Sequence, residues 1–285
     1  MTVVDFNSVV TTSTLPSRVS EVIKAAAIEQ LQEIKNLRQY GFVDKSQENL
    51  GASKYIYNTY DEMTSAYDRT ELSSFKYDAA NVTESTKDFV EIAKGFALSW
   101  KADHLKKIAI RAAQTKQATR KVLDREDYKI VSALTASGAL TSTVTATAVL
   151  SGSSADPVKD IAQAKRKTKS KGYESDLLLI EEENLEELLS IIASNDWYET
   201  TANAIRTGLT DKFMGLKIVS LPSTKLPHGT AIVMKSGETF NLGISEPMTV
   251  KIFDDEDNHT TKVQVFETIC PAVVRPDAGA KITGF

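Results

Sequence analysis

The sequence predicts an α+β protein, and three observations carry that expectation. Residues 17–39 and 102–136 repeat apolar side chains at helical spacing. The apolar run Leu177–Ile180 leads straight into an acidic segment with Leu185, Leu188, Leu189 and Ile192 on one stripe, so a buried strand feeds a helix. From Gly215 onward, short β-branched and apolar runs bounded by turn residues read as strands.

The elements follow in order. Residues 1–14 are rich in Thr, Ser and Val and read as an extended arm. Pro16 stands just before Ser17, a helix start, and Val19, Val22, Ile23, Ala26, Ala27, Leu31 and Ile34 form one stripe that stops at Gly41. A helix with a single apolar stripe must lie against something, either the chain's own core or a neighbouring subunit. Tyr55, Ile56, Tyr57, Thr59 and Tyr60 favour a strand, Tyr67–Asn81 is polar, and Phe89–Ala93 reads as a returning strand. The result is a protruding hairpin, which is marginal alone in water and easier to rationalise against another molecule. Residues 102–136 form the longest helix, about 50 Å at 1.5 Å per residue. Its polar middle, Gln114–Thr119, predicts that it lies across a surface. Ser137–Ala155 reads as strand plus linker. Asp156 caps a helix with Pro157 at its first position, and that helix runs to Ser170, before Gly172-Tyr173. Beyond Trp197 and Gly208, strands are expected at Gly215–Val219, Thr230–Val233, Met248–Phe253 and Val263–Ile269, with a closing segment Val273–Phe285.

Composition narrows the function. Lys+Arg total 34 and Asp+Glu 38, a net charge of −4, so the surface as a whole is not built to neutralise phosphates. A single cysteine, Cys270, permits neither an internal disulfide nor a zinc site of paired thiolates and reads as a small buried hydrophobe. Met1–Phe6 lacks the basic start and apolar core of a signal peptide, and no stretch approaches the roughly 18 consecutive apolar residues of a membrane span. A soluble protein is expected.

Tests for chemistry point away from an enzyme. His104, His228 and His259 lie in different elements and share no ligand spacing, which favours structural roles. Asp254–Asn258 offers oxygens for calcium but lacks the glycine and glutamate of a helix-loop-helix site, so it reads as a hairpin tip between strands. The basic run Lys165–Lys171 can touch phosphate, yet it also sits at a helix C-terminus, where cations complement the dipole; the solvated helix end is the favoured reading. Asp124 and Asp127, with Lys121, Arg125 and Lys129 beside them, read as a charged helix face. No phosphate-binding glycine loop and no nucleophile with an evident base appears. No catalytic, cofactor-binding or metal residue is assigned.

The order arm, helix, long β excursion, long helix, α/β segment and β return resembles the tailed-virus major capsid proteins of the Hong Kong 97 type over nearly the whole chain. The local patterns that carry it are Gly172-Tyr173…Leu177-Leu178-Leu179, Gly215–Val219, Arg275-Pro276 and Lys281-Ile282-Thr283-Gly284. The resemblance implies an N-terminal arm and helix at 1–47, an extended loop at 48–99, and a peripheral domain with its spine helix at 100–154. It further implies an axial domain at 155–244, and returning peripheral strands at 245–285. In that family the arm and loop lap onto neighbours, and axial domains meet at the centres of pentamers and hexamers. The implied function is an icosahedral shell around double-stranded DNA, held without sequence-specific contacts and without a cofactor. Implied partners are further copies, a portal, and a separate scaffold or decoration protein, with assembly in the host cytoplasm and residence in the virion. Only about fifty residues precede the loop, so a built-in scaffold is not expected: either a separate scaffold protein serves or the assembly needs none. Lys54 and Lys76 lie where some members cross-link, but no motif transfers that chemistry. The rivals are an encapsulin-type nanocompartment packaging a cargo enzyme, and an enzyme of mixed α/β class.

Overall fold

A computed structural model describes residues 10–12, 25–30, 36–48, 50–60, 82–150, 152, 155–194 and 211–285. The expectations for the first residues of the arm, for Tyr67–Asn81 with Lys76, and for Trp197 and Gly208 lie outside these. In chain order the elements are β1 (Val10–Thr12), α1 (25–30), a 3-10 turn (Leu37–Tyr40), β2 (Phe42–Asp44), β3 (Lys54–Tyr60), β4 (Val82–Asp88), β5 (Val90–Ser99) and α2 (Trp100–Thr135). Then come β6 (Ser142–Thr145), α3 (Pro157–Ser170), β7 (Leu177–Glu181), α4 (Glu182–Ser194), β8 (Lys212–Phe213), β9 (Leu216–Leu221) and β10 (Thr230–Met234). The chain ends with β11 (Phe240–Asp255), β12 (Thr260–Val273), a 3-10 turn (Pro276–Ala278) and β13 (Gly279–Thr283). This is the α+β class the periodicities predict.

Two sheets and a separate hairpin organise these strands. A five-stranded sheet runs β1-β11-β12-β5, with β2 also on β11; a six-stranded sheet runs β6-β13-β10-β7-β9-β8; β3 and β4 pair only with each other. The six-stranded sheet is buried on both faces because β7 and β10 are apolar at every position but the last of β7, Glu181, and the first of β10, Thr230. Strand periodicity then divides them. Leu178, Ile180, Ala231 and Val233 join Ile161 and Ala164 of α3 and Leu188, Leu189 and Ile192 of α4 in one core. Leu177, Leu179, Ile232 and Met234 face a second core, shared with α2 and the β11–β12 hairpin. Each buried Leu or Ile contributes roughly 1.5–3 kcal/mol, so these two strands bind both layers into one body.

Helix α2 lies on β12. From Arg111 to Glu126 the helix rises about 22 Å, and from Thr261 to Glu267 the strand advances about 20 Å. The two elements therefore stay in step: Arg111 Nη2 donates to Thr261 Oγ1 at one end, and Glu126 and Glu267 meet at the other. As expected, α2 lies across a surface, that of the sheet, and its polar middle is divided, with Gln114 and Gln117 exposed. Thr115, Ala118, Thr119 and Val122 are buried, since small and β-branched side chains let helix and sheet approach closely.

Three boundaries differ from the sequence reading. The helix predicted to reach Gln39 is interrupted: Asn36 is extended (φ −93°, ψ 168°) and Leu37–Tyr40 is a 3-10 turn. Gly41 is not a left-handed helix stop (φ −104°); a Cβ there would run into the Phe240 ring. The returning strand is Val82–Asp88, and after Phe89 the chain enters the five-stranded sheet as β5, in register with β12 from Val90↔Ile269 to Ser99↔Thr260. Lastly, β11 begins at Phe240 and not at Met248. Its ladder shifts register between Ile244 and Thr249, which accommodates Pro247 where no amide donor is needed.

Candidate functional site: the assembly surfaces

The hairpin β3–β4 is held at its base by one tyrosine. Tyr55 is fully buried; its ring stacks on Tyr57 (centroids 5.6 Å apart) and tilts against Phe89 (5.9 Å). The ring lies over Gly243 so closely that a Cβ there would sit 2.6 Å from Tyr55 Cδ2, which is why only glycine fits β11 at this point. Tyr55 Oη donates to Asp44 Oδ2 at 2.7 Å. Burial raises the phenol's pKa and the Asp44 charge raises it further. Burial also opposes ionisation of Asp44, but hydrogen bonds from the Ser46 amide and the tyrosine hydroxyl prevail and hold its carboxyl below the ordinary value. Lys87 Nζ donates to the Pro271 carbonyl at 2.7 Å, and Gln47 brackets Ile56 by donating to its carbonyl (3.0 Å) and accepting from its amide (3.4 Å). Cys270 is buried beside Tyr55, as a small hydrophobe, and desolvation pushes its thiol up to about 11.

Around this base, apolar and backbone groups remain open. Phe42, Leu50 and Ile56 are 50%, 70% and 49% exposed, and Phe253, near the far end of β11, is 41% exposed. Strand β5 closes the five-stranded sheet on one side, and no described strand pairs with its outer edge. An unpaired edge of this length is a template for another chain unless something covers it.

On the opposite side the N-terminal region is clamped to the body. β1 and β2 both pair in parallel with β11, at Thr249–Lys251 and Asn241–Gly243. Between them Arg38 enters a pocket formed by α2 and β12. Its Nε and Nη2 donate to the two oxygens of Glu126 at 2.9 and 2.8 Å, and Nη2 also donates to Glu267 Oε1 at 2.5 Å. The Leu37 amide donates to Asp127 Oδ1 (2.8 Å), while Lys225 Nζ donates to Asp127 Oδ2 (2.9 Å) and Asp124 Oδ1 (3.0 Å). The charged helix face expected at Asp124–Asp127 is therefore half interior: Glu126 and Asp127 are buried. One guanidinium serves two carboxylates, and Glu267 Oε2 has no hydrogen-bond partner. Burial raises Glu126 to about 7, because Arg38 only partly offsets the desolvation and Glu267 adds repulsion. The same two carboxylates outweigh burial at Arg38 and raise its pKa. Burial raises Asp127 as well, against the Leu37 amide and Lys225.

The remaining sequence candidates separate. The side chain of His104 lies outside the described set. His259 occupies the turn after Asp254–Asn258 with φ 48°. Within that turn Asp255 accepts from the Asn258 amide (3.2 Å) and Nδ2 (2.9 Å) and pairs with Lys262, and Asp254 accepts from Thr261 Oγ1 (2.7 Å), so two of the four acids of the tip are held locally while Glu256 and Asp257 are exposed. In the basic run, Lys165 Nζ donates to the Met214 carbonyl (2.6 Å) and Lys167 Nζ to that of Thr143. One grouping was invisible in the sequence. His228 Nδ1 lies 2.8 Å from Glu181 Oε2, and with Glu183 these residues offer three ligand atoms within 4.8 Å of one another. The hydrogen bond and charge of Glu181 raise the pKa of His228, which ties an exposed imidazole to a buried carboxylate. Sequence separation hid this pair, since β7 and the loop before β10 meet only through the sheet.

Comparison with known proteins agrees with this architecture. Residues 83–282 match the family model described as phage capsid protein. Among solved structures, the virus-like particle from Pyrococcus furiosus superposes with a TM-score of 0.68 at 11% identity, covering 94% of this chain and 100% of that one. The mature capsid of bacteriophage PhiM1 gives 0.60 at 13% identity, covering 87% and 86%. An empty GTA particle capsid gives 0.63 at 13% identity, covering 87% and 89%. No curated protein sequence matches the chain. The chain belongs to the phage capsid protein family and has the Hong Kong 97-type fold of tailed-virus major capsid proteins.

Proposed function

We propose that this capsid shell subunit assembles through pentamers and hexamers into an icosahedral shell that encloses a double-stranded DNA genome. The observation that carries the reading is the pairing deficit of one flank. The hairpin β3–β4 projects as a two-stranded unit, Phe42, Leu50 and Ile56 stay exposed near its base, and the β5 edge has no described partner. A neighbouring copy supplies what the chain leaves open. In this reading residues 1–47 are the arm, 48–99 the extended loop, 100–154 and 245–285 the peripheral domain, and 155–244 the axial domain. The role is structural and not enzymatic. The net charge of −4 suits a container filled by a motor, since a strongly basic lining would hold DNA against packaging and release. A portal and a separate scaffold or decoration protein complete the particle, which assembles in the host cytoplasm.

Electron microscopy of the purified protein tests the reading: uniform closed shells are expected, and a monomer that persists at high concentration refutes it. The likeness to the P. furiosus virus-like particle favours a second reading, an encapsulin-type compartment. Shells isolated from the native source distinguish them, because the first contains double-stranded DNA and the second a cargo enzyme.

A further inference from the structure

The shell reading leaves open what orders subunits side by side, and the charges of the six-stranded sheet's helices address it. Helices α3 and α4 cover the same face of that sheet, as their shared core shows. At the C-terminal half of α3, Lys165, Arg166 and Lys169 line a cleft of about 470 Å³ in which Glu174 is the one carboxylate among the described lining residues, so basic groups outnumber it three to one. Arg166 and Lys169 are exposed, and no salt bridge to either is seen among the described residues. Ser175 and Met214 place the cleft where β7 and β9 begin, since Leu177 and Lys217 are paired there. Helix α4 starts where β7 ends, and its first turns carry Glu182, Glu183 and Glu186, all exposed, beside Glu181 and Glu187; Glu183 lies near His228, and no salt bridge to Glu182 or Glu186 is seen among the described residues. Among the described residues His228 stands beside them, with its Nδ1 2.8 Å from Glu181 Oε2.

Five strand residues separate the two patches, about 17 Å at 3.3–3.4 Å per residue, which is twice the screening length of about 8 Å at physiological ionic strength. They therefore do little to neutralise each other within one molecule. Each is compatible with its own helix dipole, cations at a C-terminus and carboxylates at an N-terminus. The dipole explains why each patch is tolerated but not why the basic one is concave.

We propose that the α3 cleft of one subunit receives the α4 N-terminal turn of a second copy, head to tail. The proposal rests on the shell reading above. Two different patches on one molecule make a heterologous contact, which closes into a ring when the rotation permits. Charge complementarity favours α4 over the acidic tip at Asp254–Asp257: three exposed carboxylates stand at the start of α4, whereas Thr261, Asn258 and Lys262 engage Asp254 and Asp255 and leave Glu256 and Asp257. Exposed ion pairs of this kind steer encounter and fix register more than they add affinity.

Charge reversal tests it. In a light-scattering assembly assay, Arg166→Glu/Lys169→Glu and, separately, Glu182→Lys/Glu183→Lys/Glu186→Lys should each slow shell formation at least tenfold. One chain carrying both sets should recover the wild-type rate, because its patches are complementary again. The neutral variant Arg166→Gln/Lys169→Gln should fall between and lose the salt dependence of the rate. All positions are exposed, and unchanged thermal unfolding of the subunit verifies folding. Wild-type shells with reversal variants that assemble at the wild-type rate overturn the contact while leaving the shell reading intact. Failure of the doubly reversed chain to recover overturns it as well. So does a basic-patch variant that assembles normally but loses retention of a DNA duplex, which assigns the cleft to phosphate. Absence of shells from the wild type is the separate failure of the shell reading.

Discussion

Glu126 makes the stability of the subunit depend on pH in a direction opposite to that of an ordinary salt-bridged acid. Its carboxyl is buried with Glu267 against a single guanidinium, and its pKa rises from 4.5 to about 7 in the fold. Because the folded state binds the proton more tightly than the unfolded chain, the stabilisation is complete below about pH 4.5. It is lost as pH rises through about 7. At 1.36 kcal/mol per pKa unit the difference amounts to roughly 3 kcal/mol. Glu126→Gln mimics the protonated side chain permanently. Urea unfolding of the unassembled subunit should give equal stabilities for wild type and variant at pH 5. At pH 8 the variant should be the more stable by up to about 3 kcal/mol, less about 1 kcal/mol for the hydrogen bond that the amide cannot return to Arg38. Arg38→Leu should act the other way and cost about 3–5 kcal/mol at pH 8, since it leaves two buried carboxylates with no counter-charge. Parallel stability curves for wild type and Glu126→Gln between pH 5 and 8 would show that Glu126 does not take up the proton and would refute the reasoning.

Two other outcomes follow from the hairpin base. Gly243→Ala places a methyl inside the Tyr55 ring contact and should cost about 1–3 kcal/mol, with faster limited proteolysis within residues 54–88 as the local readout. Cys270, buried with its thiol pushed up to about 11, should resist alkylation by iodoacetamide at pH 8 until the subunit is unfolded by denaturant, as mass spectrometry would report.

What was legible in the sequence was whatever depends on near neighbours. The stripe of α2, the Asp156-Pro157 start of α3 and the apolar run of β7 passing into α4 all rest on spacings within a few turns, and all appear where expected. The side chain of Asp156 does cap α3, accepting from the Lys159 amide at 3.0 Å. The departures arise where distant residues outbid local preference. Asn36 leaves the helix because the next amide, that of Leu37, and the Arg38 side chain are drawn to Asp127 and Glu126, some ninety positions away. Glu126 itself sits among Asp124, Arg125 and Asp127, a pattern that reads as solvent-facing, and only its alignment with Glu267 on β12 reveals it as interior. Pro247 disguised the first half of β11 in the same way, because its tolerance depends on a register shift in the partner strand.

The clasp also decides how an N-terminal truncation should be read. If the arm served assembly alone, deleting residues 1–39 would impair shells and spare the subunit, but that cut removes Arg38. It leaves Glu126 and Glu267 facing each other without their counter-charge, a loss of about 3–5 kcal/mol, which is a large part of a typical domain's entire stability of about 5–15 kcal/mol. A cut after residue 24 keeps Ala26 and Ala27 in the core and leaves the guanidinium in place, while removing β1 from its parallel pairing with β11. Comparing the two separates the functions. The shorter deletion should leave urea unfolding within about 1 kcal/mol of wild type and reduce shell yield. The longer one should destabilise the monomer, and Glu126→Gln in the same chain should relieve part of that loss by removing one of the stranded charges. If the longer deletion unfolds no more easily than the shorter, Arg38 contributes nothing to holding the body together. The N-terminal region would then be purely a tie between subunits.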